Sequence, residues 1–306
     1  MSTPMFVTTS DAAAVRHTIH FSFFSTLRGE FLKVARLFWF MLIILTAGFL
    51  VGFFLGASQP GVLTDLQHTP LHFLYYSLES NLVIFRILSG IFLLILTSFA
   101  IGREYQYGTM RILLARGAGR VQLLLAKVAL LALLALLLLV LFVFLTILLT
   151  CLQMLLQVKS LNALNTLSLG FWSHIGLDLL TVAINMGVTI LLAVAMNVLG
   201  RSLTFGLSAA LIWFPLDNFG APLLGVLANL TRSDFWRGIT AYFLGPLLNR
   251  LPSLLLPHEA RSGFESFGSL PLVPVSGSHA LWVISIYSLA FAGLAVISIW
   301  KRDVTE

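Results

Sequence analysis

The chain has 306 residues, of which 58% are apolar and only 10% are charged, and its mean hydropathy is +0.98. Because soluble globular domains carry about 25% charged residues, this composition excludes a soluble protein and indicates a chain embedded in a lipid bilayer. The formal net charge of +6 comes from cations at the ends of apolar segments, which favours contact with membrane lipid headgroups and argues against a nucleic-acid partner.

The apolar residues form long runs without period-two alternation, which favours membrane helices over a β-barrel. A helix needs roughly 20 apolar residues to cross a bilayer. Six segments are long enough, at approximately 37–57, 81–102, 124–152, 172–199, 203–227 and 280–300. The predicted fold class is therefore all-α, a polytopic membrane helix bundle with six transmembrane helices. Pro215 and Pro222 could bend or end the fifth span early.

The segment before the first span has the pattern of an amphipathic helix. On a helical wheel, the apolar residues fall on one side, namely Phe24, Leu27, Phe31, Val34 and Ala35. The polar residues fall on the other side, namely Ser25, Thr26, Glu30, Lys33 and Arg36. This pattern predicts a helix in the inner interface of the membrane, with a cytosolic extension of the first span as the alternative. The predicted domains are a tail and interfacial helix at 1–36, one six-span domain at 37–300 and a cytoplasmic tail at 301–306.

Positive residues predict the orientation of the spans, because cytoplasmic loops carry an excess of Lys and Arg. With the N-terminus inside, the cytoplasmic segments include Arg28, Lys33, Arg103 and Lys301, whereas the outer loop 58–80 has no Lys or Arg. Both termini are then expected in the cytoplasm. The outer stretch 228–279 contains four arginines and runs against this trend, but loops of that length constrain orientation less.

The charged loop at 103–120 lies between the second and third spans and is predicted to be a cytoplasmic contact surface. Within it, Thr109 can cap a short coupling helix of about two turns, which Gly117 ends. Such a helix suits a groove on a cytoplasmic partner. Its predicted contacts are an apolar stripe formed by Met110, Leu113 and Leu114. Three cations, Arg111, Arg116 and Arg120, are predicted to add polar contacts.

The outer stretch 228–279 is apolar and aromatic but cannot be one continuous helix. Five prolines interrupt it, at Pro246, Pro252, Pro257, Pro271 and Pro274. It is predicted to form short interfacial or re-entrant helices that cap the outer end of the bundle. A seventh span around 238–256 is the alternative, and it would place the C-terminus outside.

Ionisable residues within the predicted spans are candidates for function, and here they are Arg86, Asp178 and Asp217. Arg86 and Asp217 are predicted at similar heights, so they could form an ion pair between the second and fifth spans. Alternatively, Arg86 extends to the outer headgroups and Asp217 marks the end of its span, or the residues contact substrate. The histidines and the single Cys151 show no metal-binding spacing, so no metal site is predicted.

The charged loop resembles the corresponding part of the ABC-2 type permeases, the membrane-spanning subunits of ATP-binding cassette transporters. Their motif, F-A-x-x-x-E-x-x-x-G-T-x-x-x-L-L-x-x-x-x-x-R-x-x-x-x-x-x-K, is matched by Phe99, Ala100, Glu104, Gly108, Thr109, Leu113, Leu114, Arg120 and Lys127. A weaker likeness lies at 195–218, where Arg201 and Ser202 in a small inner turn precede a glycine-containing fifth span and Asp217. With the six spans, the likeness covers most of the chain.

The resemblance implies an ATP-driven transporter of two permease chains, identical or different, and two copies of a separate ATPase subunit, and it favours an exporter in a prokaryotic plasma membrane. Because this chain has no G-x-x-x-x-G-K-[ST] phosphate loop, ATP and Mg are expected on the ATPase, and the permease is not expected to be an enzyme. Glu104 is expected to bind a nearby cation or N–H group. The residues expected at the ATPase contact are Glu104, Gly108, Thr109, Met110, Leu113, Leu114, Arg116 and Arg120.

Two other classes of function are alternatives. An ion-coupled carrier or channel would work from a gradient and without ATP. An intramembrane enzyme would need paired acids, a histidine cluster or a nucleophile with its base inside the bilayer. The two separated aspartates and His174 give little support for such a site.

Overall fold

A computed structural model of the chain describes residues 23–59, 61–108, 119–255 and 270–301. Within these ranges every regular element is helical, which confirms the all-α prediction. The α-helices are α1 (Phe23–Ala57), α2 (Val62–His68), α3 (Pro70–Gln106), α4 (Arg120–Gln157), α5 (Leu169–Gly200), α6 (Leu203–Thr231), α7 (Phe235–Ile239), α8 (Leu244–Leu255) and α9 (Gly277–Lys301). Two short 3₁₀ turns, Asn162–Thr166 and Thr240–Tyr242, precede α5 and α8.

Six of these helices are long and apolar enough to cross a membrane, namely α1, α3, α4, α5, α6 and α9. They lie at the six predicted positions, because a long apolar run can satisfy its backbone groups in hydrocarbon only as a helix. The observed helices are longer than predicted. The spans of α3 and α4 have 37 residues each, so at about 1.5 Å per residue both exceed a hydrocarbon core of about 30 Å and must tilt or protrude.

The two ends of the bundle carry different short elements. We call proximal the end at which α1 and α4 begin and α3 ends, and distal the opposite end, which carries α2, α7 and α8. The distal elements at 235–255 are short helices of the kind predicted for the outer stretch, and Pro252 lies inside α8. Residues 256–269, with Pro257, lie outside the described residues.

The N-terminal part of α1 corrects the prediction of a separate interfacial helix. α1 continues without a break from Phe23 to Ala57, so the segment before the first span extends that span, as the alternative prediction had it. No proline interrupts this segment, and Glu30 and Lys33 contact other spans, which holds the extension against the bundle. The fifth span is also uninterrupted, because α6 runs through both of its prolines.

The centre of the bundle is packed with aromatic side chains from three spans. Phe49 of α1 and Phe85 of α3 both pack on Phe142 of α4, with ring centroids 5.0 Å and 4.8 Å apart, and all three rings are buried. α3 also packs along α5. α3 is therefore enclosed by other helices, whereas α6 leaves most of its surface exposed.

Near the proximal end, α3, α5 and α6 approach closely because glycines lie at their contact. A Cβ atom at Gly102 would lie 2.7 Å from the Cα atom of Leu203, and one at Gly206 would lie 2.7 Å from the Cα atom of Asn197. Asn197 is fully buried, and its Nδ2 donates to the Oγ of Ser98 over 2.9 Å. The three helices can meet at this distance only if positions 102 and 206 lack side chains.

Gly206→Ala is expected to destabilise the bundle, because the added methyl group would overlap the backbone of α5, and such overpacking costs about 1–3 kcal/mol. Gly187→Ala is the matched control, since a Cβ atom at this position of α5 would meet nothing within 4 Å. Thermal unfolding of the purified chain in detergent should show a lower melting temperature for Gly206→Ala than for Gly187→Ala. Equal melting temperatures would contradict the close contact.

Candidate functional site

Four charged side chains meet inside the proximal end of the bundle. Glu30 and Lys33 come from α1, Glu104 from the last turn of α3, and Lys127 from near the start of α4. The exposed fraction is 2% for Lys127 and 5% for Glu30 and Glu104, so three of the four charges are buried, and Lys33 is partly exposed. We call these four residues the proximal ion cluster.

Contacts between unlike charges connect all four residues of the proximal ion cluster. The Nζ of Lys33 donates to the Oε1 atoms of Glu30 and Glu104, over 2.6 Å and 2.9 Å. The Nζ of Lys127 donates to the Oε2 of Glu30 and to the carbonyl oxygen of Ala100 (3.0 Å), and it lies 3.0 Å from the Oε1 of Glu104. With two carboxylates and two ammonium groups, the cluster has no net charge.

The electrical neutrality of the proximal ion cluster matters because burying an unpaired charge costs several kcal/mol. Apolar side chains of the same volume would stabilise the protein about as well as a buried ion pair. The main effect of the cluster is therefore to specify which faces of α1, α3 and α4 meet. Both lysines contact both carboxylates, an arrangement that favours ion pairing over metal binding. Among the described residues, no group of three or more His, Cys, Asp or Glu side chains is arranged to hold a metal ion.

The proximal ion cluster joins the two ends of the charged loop. Glu104 precedes the loop in α3 and Lys127 follows it in α4, so their contact holds together the spans on either side. The predicted coupling helix lies outside the described residues, and with it Thr109, Met110, Leu113, Leu114 and Arg116. Of Arg120, the structure describes the backbone, which begins α4.

α3 ends in a turn that favours glycine. Gly108 has a φ of +66°, in the left-handed region, and its N–H donates to the carbonyl oxygen of Tyr105 over 3.3 Å. A Cβ atom at Gly108 would meet nothing within 4 Å, so the requirement is conformational and not a matter of space. The glycine of the motif therefore directs the chain out of α3 and into the loop.

Two of the three ionisable residues predicted within the spans, Arg86 and Asp217, contact α8. Arg86 is 7% exposed and donates to the carbonyl oxygen of Leu248 in α8, and the charge of Asp178 on α5 acts on it. Asp217 accepts a hydrogen bond from the backbone N–H of Gly245 in the first turn of α8, where a negative charge is favourable. Arg86 and Asp217 thus connect the second and fifth spans through α8. The guanidinium of Arg86 is buried inside the chain, unlike the alternative in which it extends to the headgroups.

Sequence reasoning missed three charged residues inside the bundle. Glu30 and Lys33 were assigned to the polar face of an interfacial helix, and Glu79 stood just before the predicted start of the second span. Glu79 is 4% exposed because α3 begins much earlier, at Pro70. The sequence did contain a signal for Glu30 and Lys33. Their opposite charges are three positions apart and therefore share a helix face, on which they could complement the charges of Glu104 and Lys127.

Lys127→Met is expected to destabilise the protein by about 3–5 kcal/mol, because it leaves two buried carboxylates with one lysine. Glu30→Gln combined with Lys127→Met should recover part of this loss, since Lys33 and Glu104 remain as a balanced pair. Arg36→Met is the control, because Arg36 is an exposed cation on the same helix as Glu30. The measurement is unfolding of the purified chain in detergent. If Lys127→Met is as stable as Arg36→Met, the buried cluster is contradicted.

Gly108→Ala is expected to cost about 1–2 kcal/mol, the penalty of a left-handed conformation for a residue with a Cβ atom. Gly108→Asn should cost less, because asparagine tolerates this conformation better. Gly90→Ala in the middle of α3 serves as the control, since a Cβ atom there meets nothing within 4 Å. Melting temperatures should rise in the order alanine, asparagine, glycine at position 108, and a different order would rule out the proposed turn.

A protein-family profile described as ABC-2 family transporter protein matches residues 26–215, more than half of the chain. No match was found among curated proteins or among solved structures. The matched region contains the whole proximal ion cluster, Gly108 and the close contact of Asn197 with Gly102 and Gly206. Together with the six membrane-spanning helices, this match shows that the chain belongs to the ABC-2 family of transporter proteins, as a multi-pass membrane permease.

Proposed function

We propose that this permease couples ATP hydrolysis by a separate ATPase subunit to the export of a substrate. The observation that carries the proposal is the proximal ion cluster, which ties α1, α3 and α4 together at both ends of the loop predicted to contact the ATPase. A force on a loop reaches the spans as a common movement only if the ends of those spans are held together. The cluster supplies that connection.

In this mechanism, closure of the ATPase subunits around ATP displaces the coupling helix predicted at 109–116. The contact between Glu104 and Lys127 transmits the displacement to α3 and α4, and Glu30 with Lys33 adds α1. Because separating buried opposite charges costs several kcal/mol, the three helix ends move as one unit. Gly108 provides the bend at which the loop leaves α3.

The proposed assembly contains two permease chains, identical or different, and two copies of the ATPase subunit, which binds ATP and Mg. The family membership supports the association with an ATPase. The apolar faces of α1 and α6 are largely exposed, with Phe40 and Phe219 among their most accessible side chains. These faces are available both to lipid and to a second permease chain.

The proximal end is proposed to face the cytoplasm of a prokaryote, with both termini on that side of the plasma membrane. The support is the excess of Lys and Arg in the segments at this end, compared with none in the loop 58–80. The spans contain few fixed polar groups, which favours a small hydrophobic compound or a lipid over a hydrophilic cargo. Export is the direction that the family resemblance favours.

The coupling helix is tested by changing Met110, Leu113 and Leu114 together to alanine. Loss of three apolar contacts is expected to weaken binding of the ATPase that co-purifies with the wild-type chain by about tenfold or more, which corresponds to about 1.4 kcal/mol. ATP-dependent export from proteoliposomes should fall with it. The matched control is a triple alanine variant at three exposed leucines of α4, Leu133, Leu136 and Leu137.

Two outcomes would contradict the proposal. A variant with the three alanines in the loop that retains wild-type ATPase binding and export would show that the loop is not the contact. A wild-type chain that moves substrate along an ion gradient, without ATP or any ATPase, would instead support the ion-coupled carrier.

A further inference from the structure

A small pocket lies near the distal end of the bundle, where α1 ends and α2 and α3 begin. Its apolar lining includes Phe53 and Gly56 of α1, Val62 of α2 and Phe73 of α3. Together with its open mouth the pocket measures about 260 Å³, and its inner part has room for about one water-sized group. A Cβ atom at Gly56 would meet nothing within 4 Å, so there is empty space beside this glycine. We call this space the distal pocket.

Polar side chains form the rest of the lining of the distal pocket. Ser77, Ser80 and Asn81 come from α3, and Gln153 comes from the last turns of α4. Ser80 and Asn81 both donate to the carbonyl oxygen of Ser77, over 3.2 Å and 2.6 Å. Because a hydroxyl or carboxamide oxygen can also accept hydrogen bonds, the side-chain oxygens of Ser80 and Asn81 offer acceptors to a ligand.

Gln153 is buried without a partner for its donor. Its exposed fraction is 7%, and within the described part of the chain its Nε2 atom has no hydrogen-bond partner. A buried amide N–H group that bonds to neither protein nor water costs stability, and native proteins contain few such groups. Since Gln153 lines the distal pocket, a hydrogen-bond acceptor that enters the pocket would satisfy this donor.

The lining of the distal pocket determines the chemistry of its ligand. Among the residues that the structure describes, none that lines the pocket is an Asp, Glu, Lys, Arg or His. A charged ligand would therefore find no opposite charge in the lining, which makes its burial unfavourable. A hydroxyl group has an oxygen that accepts from Gln153 and a proton that it can donate to Ser80 or Asn81. The pocket thus suits an uncharged hydroxyl group.

The depth of the distal pocket indicates that a lipid supplies this hydroxyl group. The ring of Tyr75, in the pocket-lining part of α3, packs on Phe171 of α5, with ring centroids 4.8 Å apart. The next residue, Trp172, is exposed, and exposed tryptophans are typical of the membrane–water interface, where lipid headgroups lie. The last turns of α1 also carry Phe54 and Leu55, whose exposed side chains give acyl chains an apolar surface.

We propose that the distal pocket binds the hydroxyl-bearing headgroup of an uncharged lipid, with Gln153 as the donor that recognises the hydroxyl oxygen. The acyl chains of this lipid lie along the exposed face of α1. The site lies at the opposite end of the bundle from the proximal ion cluster and from the predicted ATPase contact. Binding of the lipid therefore requires neither ATP nor transport.

Native mass spectrometry of the full chain in detergent tests the proposal with two lipids. Dioleoylglycerol is uncharged and has one hydroxyl group, and propylene glycol dioleate differs from it only in lacking that group. The wild type should bind dioleoylglycerol with a dissociation constant about tenfold lower, as expected when a buried donor gains a hydrogen bond.

Two variants, each with a matched control, test the assignment to this pocket. Gln153→Leu should bind dioleoylglycerol about tenfold more weakly and lose the preference for it, whereas Gln157→Leu changes an exposed glutamine one turn later and should bind as the wild type does. Gly56→Leu should also weaken binding, because its side chain fills the empty space. Gly293→Leu in α9 is its control, since a Cβ atom there also meets nothing within 4 Å.

Equal affinities of the wild type for the two lipids would overturn the proposal, even if none of the variants can be purified. An unchanged preference for dioleoylglycerol in Gln153→Leu would overturn it as well. If the wild type binds neither lipid saturably, water alone fills the pocket and the proposal is wrong. Displacement of dioleoylglycerol by free glycerol at equal concentration would show that the site takes a soluble alcohol, which contradicts a lipid site.

Discussion

The cost of burying charge inside a membrane-embedded bundle governs the arrangement of this permease. A carboxylate or an ammonium group that leaves water loses several kcal/mol of hydration and recovers it only beside an opposite charge and suitable hydrogen-bond partners. In the proximal ion cluster, Lys127 meets both requirements, since it contacts two carboxylates and the carbonyl oxygen of Ala100. The faces of α1, α3 and α4 that meet are therefore the faces on which these charges can balance.

α3 takes part in most of the polar contacts between the spans. At its proximal end it contributes Glu104 to the ion cluster, and two residues earlier Gly102 allows the close approach of α6. Farther along, Ser98 accepts a hydrogen bond from α5, and Arg86 donates to α8. α3 is also the most enclosed of the six spans and contacts four of the other five, namely α1, α4, α5 and α6, so a displacement of its proximal end acts on all four.

The motif of the charged loop combines residues with separate physical roles. Glu104 and Lys127 are far apart in the sequence but adjacent in space, where they join the spans on either side of the loop. Gly108 permits the left-handed conformation with which the chain leaves α3. Three further motif positions, Thr109, Leu113 and Leu114, lie outside the described residues, and their role at the ATPase contact stays a prediction.

The sequence alone determined the class of the protein, the number of spans and their approximate positions, because hydropathy depends on consecutive residues and hydrocarbon leaves the backbone no alternative to a helix. It also indicated the family, since the motif around Glu104 is local. The tertiary structure decided that the amphipathic segment continues into α1, that Glu30 and Lys33 contact other spans, and that Glu79 is buried. These features depend on which helix faces which, and contacts between charged residues 71 and 97 positions apart leave no periodic signal in either helix.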